Sequence, residues 1–585
     1  MMLPHLESIP VDVLSQIAFF TVASAPFTGL GAVLQLLLCS RNLHDALSLK
    51  SCPQLYARVF RSRFDLVAHL RRSKLASPTT TNLALELQRR CAVLRRIRHR
   101  HVADHILPDL WMIYLMLLES DGMNESQLHS AGIAQYIRML LKRQQGVLRD
   151  DTARALAISV ACLVWSHKFI TDMPSEERSQ TLSELRPFVT GSSNNVLSFN
   201  VNSGMRRCSL SFDGFDNRAP EMIPGACVEN KYRALDSSIY TREYTLTAPS
   251  LLSASIFLTF ALKEAIALQV PKHLPQTQVV ARPTEHDGPT IEDFFAITRR
   301  RTPLVADSGH QNPSREPFAD RTGRKMRASR SLAHDEEFYR IAHRLGLPDD
   351  TWELRSCIGL LSGTWEGTYM RWSMASSTRL KPPQTSPTSF CQCPSQKSDP
   401  TVSPDFVSRH PIQCRLEEHI CFTPCMPLAS VPRNGDFGES AFKHLFMNDC
   451  EGVTTANEFS DATGTSKHRY ELFRPTDTSE NYRDPRHALD VVITGETPRR
   501  LEATWGAFIF FGRIRLSDGL VTLTRKPKYS GDEGRGTWIF EGYIHNRRSF
   551  VGRWRSFGVS ERESLRGIFS LTKVDDPPSH LYSSL

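Results

Sequence analysis

Several features are missing from this sequence, and each absence removes a class of function. There is no Gly-x-Ser-x-Gly elbow, no P-loop, no His-Glu-x-x-His pair and no dinucleotide fingerprint, so the common signatures of hydrolase, nucleotide-driven, zinc-protease and dehydrogenase chemistry are absent. Asp490, Glu496, Glu502 and His545 fall on or near strands. Nothing in the sequence brings them together as an acid–base pair, so no catalytic residue and no cofactor is expected. A membrane span needs ~20 mostly apolar residues in a row. The two greasiest stretches are broken by Pro26-Phe27-Thr28-Gly29 and by Lys263-Glu264. A cationic leader is also missing, since Glu7 and Asp12 stand where a signal peptide would carry positive charge. Charge of one sign is scarcely in excess: 71 basic residues face 62 acidic ones, a net charge of +9, too small a bias to indicate nucleic acid. The 13 cysteines follow no repeating spacing. The nearest approach to a zinc pattern, Cys421–Cys425 with Cys391–Cys393, lacks a matching second pair. No metal site is expected, and the thiols read as reduced ones in the cytoplasm or nucleus.

What is present begins with Leu6–Leu47. Ile9-Pro10 suits the first turn of a helix, because the proline's missing N–H would have no partner there. Val13, Leu14 and Ile17 follow at helical spacing, and a second apolar helix covers Val33 to Cys39. Two short greasy helices cannot bury all their side chains within so small a unit. The residues alone leave three readings open: a docking hairpin, a plain buried hairpin and a membrane anchor. Ile9-Pro10, Leu14, Ile17 and Leu37-Leu38-Cys39 resemble an F-box, with a longer loop at Ala23–Gly29 and Leu43 in the place of the family's late aromatic. The resemblance implies docking to Skp1, and through it to a cullin, with Leu6, Ile9, Pro10, Leu14, Ile17, Leu37 and Leu38 at the contact.

The rest divides by composition. Residues 66–270 read as an α-helical platform. It holds a helix over Asn82–His105 with a cationic face, an almost wholly apolar helix at Asp109–Glu119 and a last long helix at Leu251–Val270. Residues 271–334, rich in Pro, Arg and Ser, read as a flexible basic linker. Residues 335–585 read as an antiparallel β-barrel with a disordered insertion at about 376–410. Alternating patterns mark strands at Gly363–Trp372, His487–Thr494, Ala503–Leu516, Leu520–Arg525, Thr537–His545, Phe550–Arg555 and Leu565–Lys573. Short turns between them give a meander that closes to remove its edges.

The expected fold class is therefore α+β: F-box (1–65), helical platform, then barrel. The Gly363-Thr-Trp-Glu-Gly start looks like the first strand of a lipocalin-type barrel, with Trp365 plugging one end. The whole layout resembles fungal, mainly basidiomycete, F-box proteins. More distantly, the barrel looks like the cereblon-like domains of other substrate receptors. The resemblance implies a substrate-recognition subunit of an SCF-type ubiquitin ligase. Substrate-binding candidates are Trp365, Tyr369, Trp505, Trp538, Tyr543 and Trp554. The alternative is a lipocalin-like small-ligand binder with a helical appendage.

Overall fold

The computed structural model describes residues 9–23, 29–73, 77–102, 106–143, 148, 150–190, 235–240, 242–268, 270, 274–281, 289–298, 301–310, 318–319, 325–326, 329–344, 357–372, 409–422, 458–460, 467–473, 488, 490–516, 518–530, 536–557 and 565–574. Leu6, Cys391, Cys393 and Cys425, together with nearly all of the expected insertion, lie outside them.

The N-terminal half is helical. Helices α1 (Val11–Ala23), α2 (Gly29–Cys39), α3 (Arg41–Leu47) and α4 (Pro53–Arg63) form its first part. Next come α5 (Val67–Ser73), α6 (Thr80–Arg98), α7 (Ile106–Leu118), α8 (Met123–Ala131) and α9 (Ile133–Lys142). They are followed by α10 (Asp151–Val164), α11 (His167–Thr171), α12 (Ser175–Thr190) and α13 (Leu251–Glu264). The apolar α7 and α13 are buried nearly all round, which is what a helix without a polar face requires. No described helix is long and apolar enough to cross a membrane. Where one long helix was expected over Asn82–His105, α6 stops at Arg98, and Arg100 turns the chain with a positive φ of 51°.

The C-terminal half is a closed antiparallel barrel of eight strands in chain order: β1 (Gly363–Trp372), β2 (Arg409–Cys421), β3 (Asp490–Glu496), β4 (Phe508–Arg515), β5 (Leu520–Pro527), β6 (Trp538–His545), β7 (Ser549–Ser556) and β8 (Arg566–Val574). The closing pair is β8 with β1, and β1 also pairs with β2. Every neighbour in the ring is therefore satisfied, as the edge argument requires. The strand expected over Ala503–Leu516 begins only at Phe508. Arg499–Trp505 is a helix, ended by Gly506 at φ 94°. Trp505 thus sits on a helix and not on a strand, because glycine in the left-handed region can stop the helix and start the strand in one residue.

Inward positions alternate along each strand. Trp365, Phe550, Trp554, Phe569, Phe540 and Phe510 are all at most 3% exposed and form the core. Glycines on facing positions make room for the rings: a Cβ on Gly567 would lie 2.5 Å from Nε1 of Trp554. One end of the barrel is closed by residues 357–361, where Trp365 donates its indole N–H to the Leu361 carbonyl at 2.6 Å. Glu418, fully buried, accepts the N–H groups of Gly359 and Ser362 at 2.5 and 3.0 Å and that of Leu361 as well. Burial pushes its carboxyl up, and those three donors oppose the shift.

Helices and barrel share a core. Met370, Val551 and Ile568 point outward from the barrel into the helical cluster. The short helix Asp335–Ile341 pins the two together. Asp335 takes Arg71 at 2.7 Å and Arg72 at 2.8 Å from the helical side. Arg340 donates to the carbonyls of Asp518 and Ile544 on the barrel, at 3.2 and 3.0 Å. Part of 271–334, expected as a free linker, is built into this contact. Thr302 is 1% exposed and donates to Glu264 through N–H and Oγ1, both at 2.8 Å, while its Oγ1 also meets Ser570 on β8 at 3.2 Å. Composition missed this, because single polar side chains and not an apolar run anchor the segment.

Glu264 supplies a pH test. Burial raises its carboxyl from 4.5 to about 7. A raised acid contributes stability that is fully present below its unfolded value and lost as pH rises through the folded one. Glu264→Gln fixes the neutral state. We expect the melting temperature of the wild type to fall, relative to this variant, between pH 5 and pH 8. Parallel melting curves across that range would contradict the assignment.

Candidate functional site

Two surfaces come together from these elements. The first is the α1–α2 hairpin. Leu14, Ala18 and Val22 of α1 turn inward and pack with Val33 of α2 and with Leu43, Leu47 and Leu55. Ser40 caps α3 by accepting the Leu43 N–H, and Tyr56 donates to the Leu47 carbonyl at 2.8 Å, which fixes the base of the unit. Arg58 lies 3.9 Å over the Phe19 ring and donates to Gln16 at 2.7 Å.

The opposite face is bare. Val13, Ile17 and Phe20, spaced for one stripe of α1, are 43%, 41% and 62% exposed. Leu34 and Leu38, one turn apart on α2, are 55% and 75% exposed. No charged residue occurs between Asp12 and Arg41, so neither helix places a charge among these five side chains; Gln16 and Gln35 are exposed on the same helices, and the Arg58 guanidinium of α4 lies 6.0 Å from the Phe20 ring centroid. Scattered surface leucines need no explanation; five large apolar side chains exposed on two helices that pack together make these helices a candidate surface. Of the residues expected at the partner contact, Ile17 and Leu38 are on this face, Pro10 is exposed, and Ile9 and Leu37 are half-buried. Leu14 is 5% exposed and holds the hairpin together instead. Phe20 and Leu34 were not singled out from sequence, though each is a helical step from Ile17 or Leu38.

The second surface is the end of the barrel away from residues 357–361. There Tyr369, Trp538 and Trp554 converge. The two indoles stack with centroids 4.3 Å apart, and Tyr369 meets them edge-on at 5.1 and 5.3 Å. His410 stacks on Tyr369 at 5.1 Å. Arg525 brings its guanidinium to 3.6 Å from the Trp538 centroid and 4.0 Å from Phe508. Burial, with Arg371 nearby, lowers the His410 imidazole to about 4, so the ring is neutral at pH 7. Tyr369 and Trp538 are half-buried, while Trp554 is 1% exposed. The other candidates lie apart. Trp365 is at the closed end, Tyr543 faces outward and donates to Asp518 at 2.9 Å, and Trp505 packs edge-on with Phe294. Arg525 was not singled out from sequence, although strict alternation from Val521 and Leu523 puts it on the inner face.

The four titratable residues weighed for chemistry have structural partners. Asp490 accepts from Arg513 at 2.6 Å and Tyr470 at 2.8 Å. Glu496 and Glu502 both hold Lys528. His545 pairs with Glu337 at 3.5 Å. Burial acts against the charge on Glu337, but His545, Arg340 and Tyr114 hold it down at about 2. Cys414 faces the barrel core and Cys421 is buried at the end of β2.

The fold and surfaces define an eight-stranded meander barrel on a helical base, with a bare apolar hairpin at its start. No known protein family, curated protein or solved structure matches the chain.

Proposed function

We propose that this protein is the substrate receptor of a Skp1–cullin–F-box ubiquitin ligase and supplies no chemistry of its own. The α1–α2 face binds Skp1 and through it a cullin, and the barrel holds the substrate. The reading rests on the uncharged stripe of Val13, Ile17, Phe20, Leu34 and Leu38. Covering a side chain of this kind is worth ~1.5–3 kcal/mol, so a partner that seats on several of them gains enough to bind. A receptor raises the local concentration of substrate beside a charged conjugating enzyme, and needs no catalytic group for that. A cytoplasmic or nuclear site of action follows from this reading. The small-ligand carrier has less support, because aromatic rings fill the middle of the barrel.

The test is co-expression with Skp1 and affinity capture. The wild type should retain Skp1, and Ile17→Asp with Leu38→Asp should lose it while keeping the far-UV spectrum of the parent. Leu14→Asp is unsuitable, since a buried carboxylate would unfold the hairpin. Skp1 absent from the wild-type capture, or retained equally by the double variant, would overturn the proposal.

A further inference from the structure

The apolar face of α1 has a cationic border, and α4 supplies it. Helix α4 runs beside α1 in the same direction. The Cys52 thiol, just before α4, meets the Ser15 hydroxyl at 3.9 Å, Arg58 reaches Gln16 and Phe19, and Arg63 donates to the Val22 carbonyl. The outward face of α4 carries Gln54, Arg58 and Arg61, spaced by four and three residues and all exposed. Arg58 is held in place. Its guanidinium lies 3.9 Å over the Phe19 ring and gives one N–H to Gln16 at 2.7 Å. Its other N–H groups remain for a further acceptor, 6.0 Å from the centre of the exposed Phe20 ring. Neither Arg58 nor Arg61 has an acidic partner among the described residues. The acids of α1–α4 are Asp12, two turns before Phe20, and Asp45, which lies beside His44 at 3.3 Å. The Phe20 end of the face is thus bordered by cations.

We propose that the partner seated on the α1–α2 face is a protein that sets carboxylates beside its apolar contact. One carboxylate takes Arg58 next to Phe20, and a second faces Arg61. Guanidinium groups match carboxylates in a planar, two-point geometry that ammonium groups lack. An arginine beside an aromatic ring is the pairing that anchors protein interfaces most often. An anionic lipid surface also suits apolar and basic groups together. Here, however, exposed Asp12 stands in one row of α1 with Gln16 and Phe20, where it would meet lipid phosphates, and Arg58 is pinned on Phe19. The inference rests on the hairpin being the docking face of the receptor and assigns the charge pattern of what docks there.

Selection of a displayed random-peptide library on the immobilised full-length chain tests it. Clones are kept only where Ile17→Asp with Leu38→Asp abolishes their binding, which confines them to this face. They should be enriched in Asp or Glu next to aliphatic or aromatic residues. The preference of a selected peptide over its Asn/Gln twin should be on the order of tenfold, the value of one charge-assisted hydrogen bond, and should shrink with added salt. Arg58→Gln with Arg61→Gln, both at exposed positions, should abolish that preference and leave the twin's affinity unchanged. No clone confined to this face, no acidic enrichment, or a preference that survives the double variant would overturn the proposal. So would sedimentation of the chain with phosphatidylserine vesicles that the same double variant abolishes. The two readings fail separately: a chain that holds Skp1 but ignores peptide charge defeats this inference alone, and acidic preference on this face without Skp1 defeats the ligase reading alone.

Discussion

Arg90→Met should cost the folded chain ~3–5 kcal/mol, the usual result of removing one partner from a buried charge cluster. Arg90 is 1% exposed at the centre of the helical half. Its guanidinium donates to Glu86 at 3.0 Å, to Glu119 at 2.8 Å, to Asn124 at 3.2 Å and to the Tyr240 hydroxyl at 2.9 Å. The rings of Phe60, Phe64 and Tyr240 lie within 5.1–5.5 Å of it. Without it, two carboxylates are left together in a site shut off from water. Urea unfolding should show the loss, and adding Glu86→Gln and Glu119→Gln should recover a good part of it, because the three groups act as a unit. A loss below ~1 kcal/mol would mean that the cluster is solvated in solution.

The second large effect is in the barrel. Trp554→Ala should destabilise by ~3–5 kcal/mol through lost burial and the cavity left behind. The indole is 1% exposed, stacks on Trp538, meets Tyr369 and donates to the Met370 carbonyl at 3.1 Å. Collapse cannot fill the space, since the facing residue is Gly567 and its β8 backbone is fixed by pairing on both sides. If the barrel unfolds independently of the helices, a separate first transition will appear. If the shared core at Met370, Val551 and Ile568 couples them, both halves will melt together. A variant that unfolds at the parent's urea midpoint would show that the rings are not packed as described.

Much of this architecture can be read from the chain. Period-two alternation from Thr537 to His545 and from Phe550 to Arg555 identified strands, and the Asp518-Gly519 turn fixed a hairpin between β4 and β5. The apolar α7 and α13 were legible because an all-round greasy helix has to be interior. Other features were not legible, for identifiable reasons. Arg499–Trp505 contains residues that suit a strand or a helix, and only Gly506 decides between them. Thr302 and Asp335 anchor polar stretches through single hydrogen bonds and ion pairs, which leave no periodic trace. At the hairpin, sequence found the greasy unit but could not say which side chains face out. Leu14 and Ile17 are both apolar, three residues apart, and only the packing of α1 against α2, α3 and α4 sends one in and the other out.

Hydrogen–deuterium exchange of the full chain with and without purified Skp1 tests the central claim most directly. Bound Skp1 should slow exchange across α1 and α2, residues 11–39, and leave the barrel strands unchanged. Exchange in those helices that is identical with and without Skp1, or protection confined to the barrel, would contradict the account.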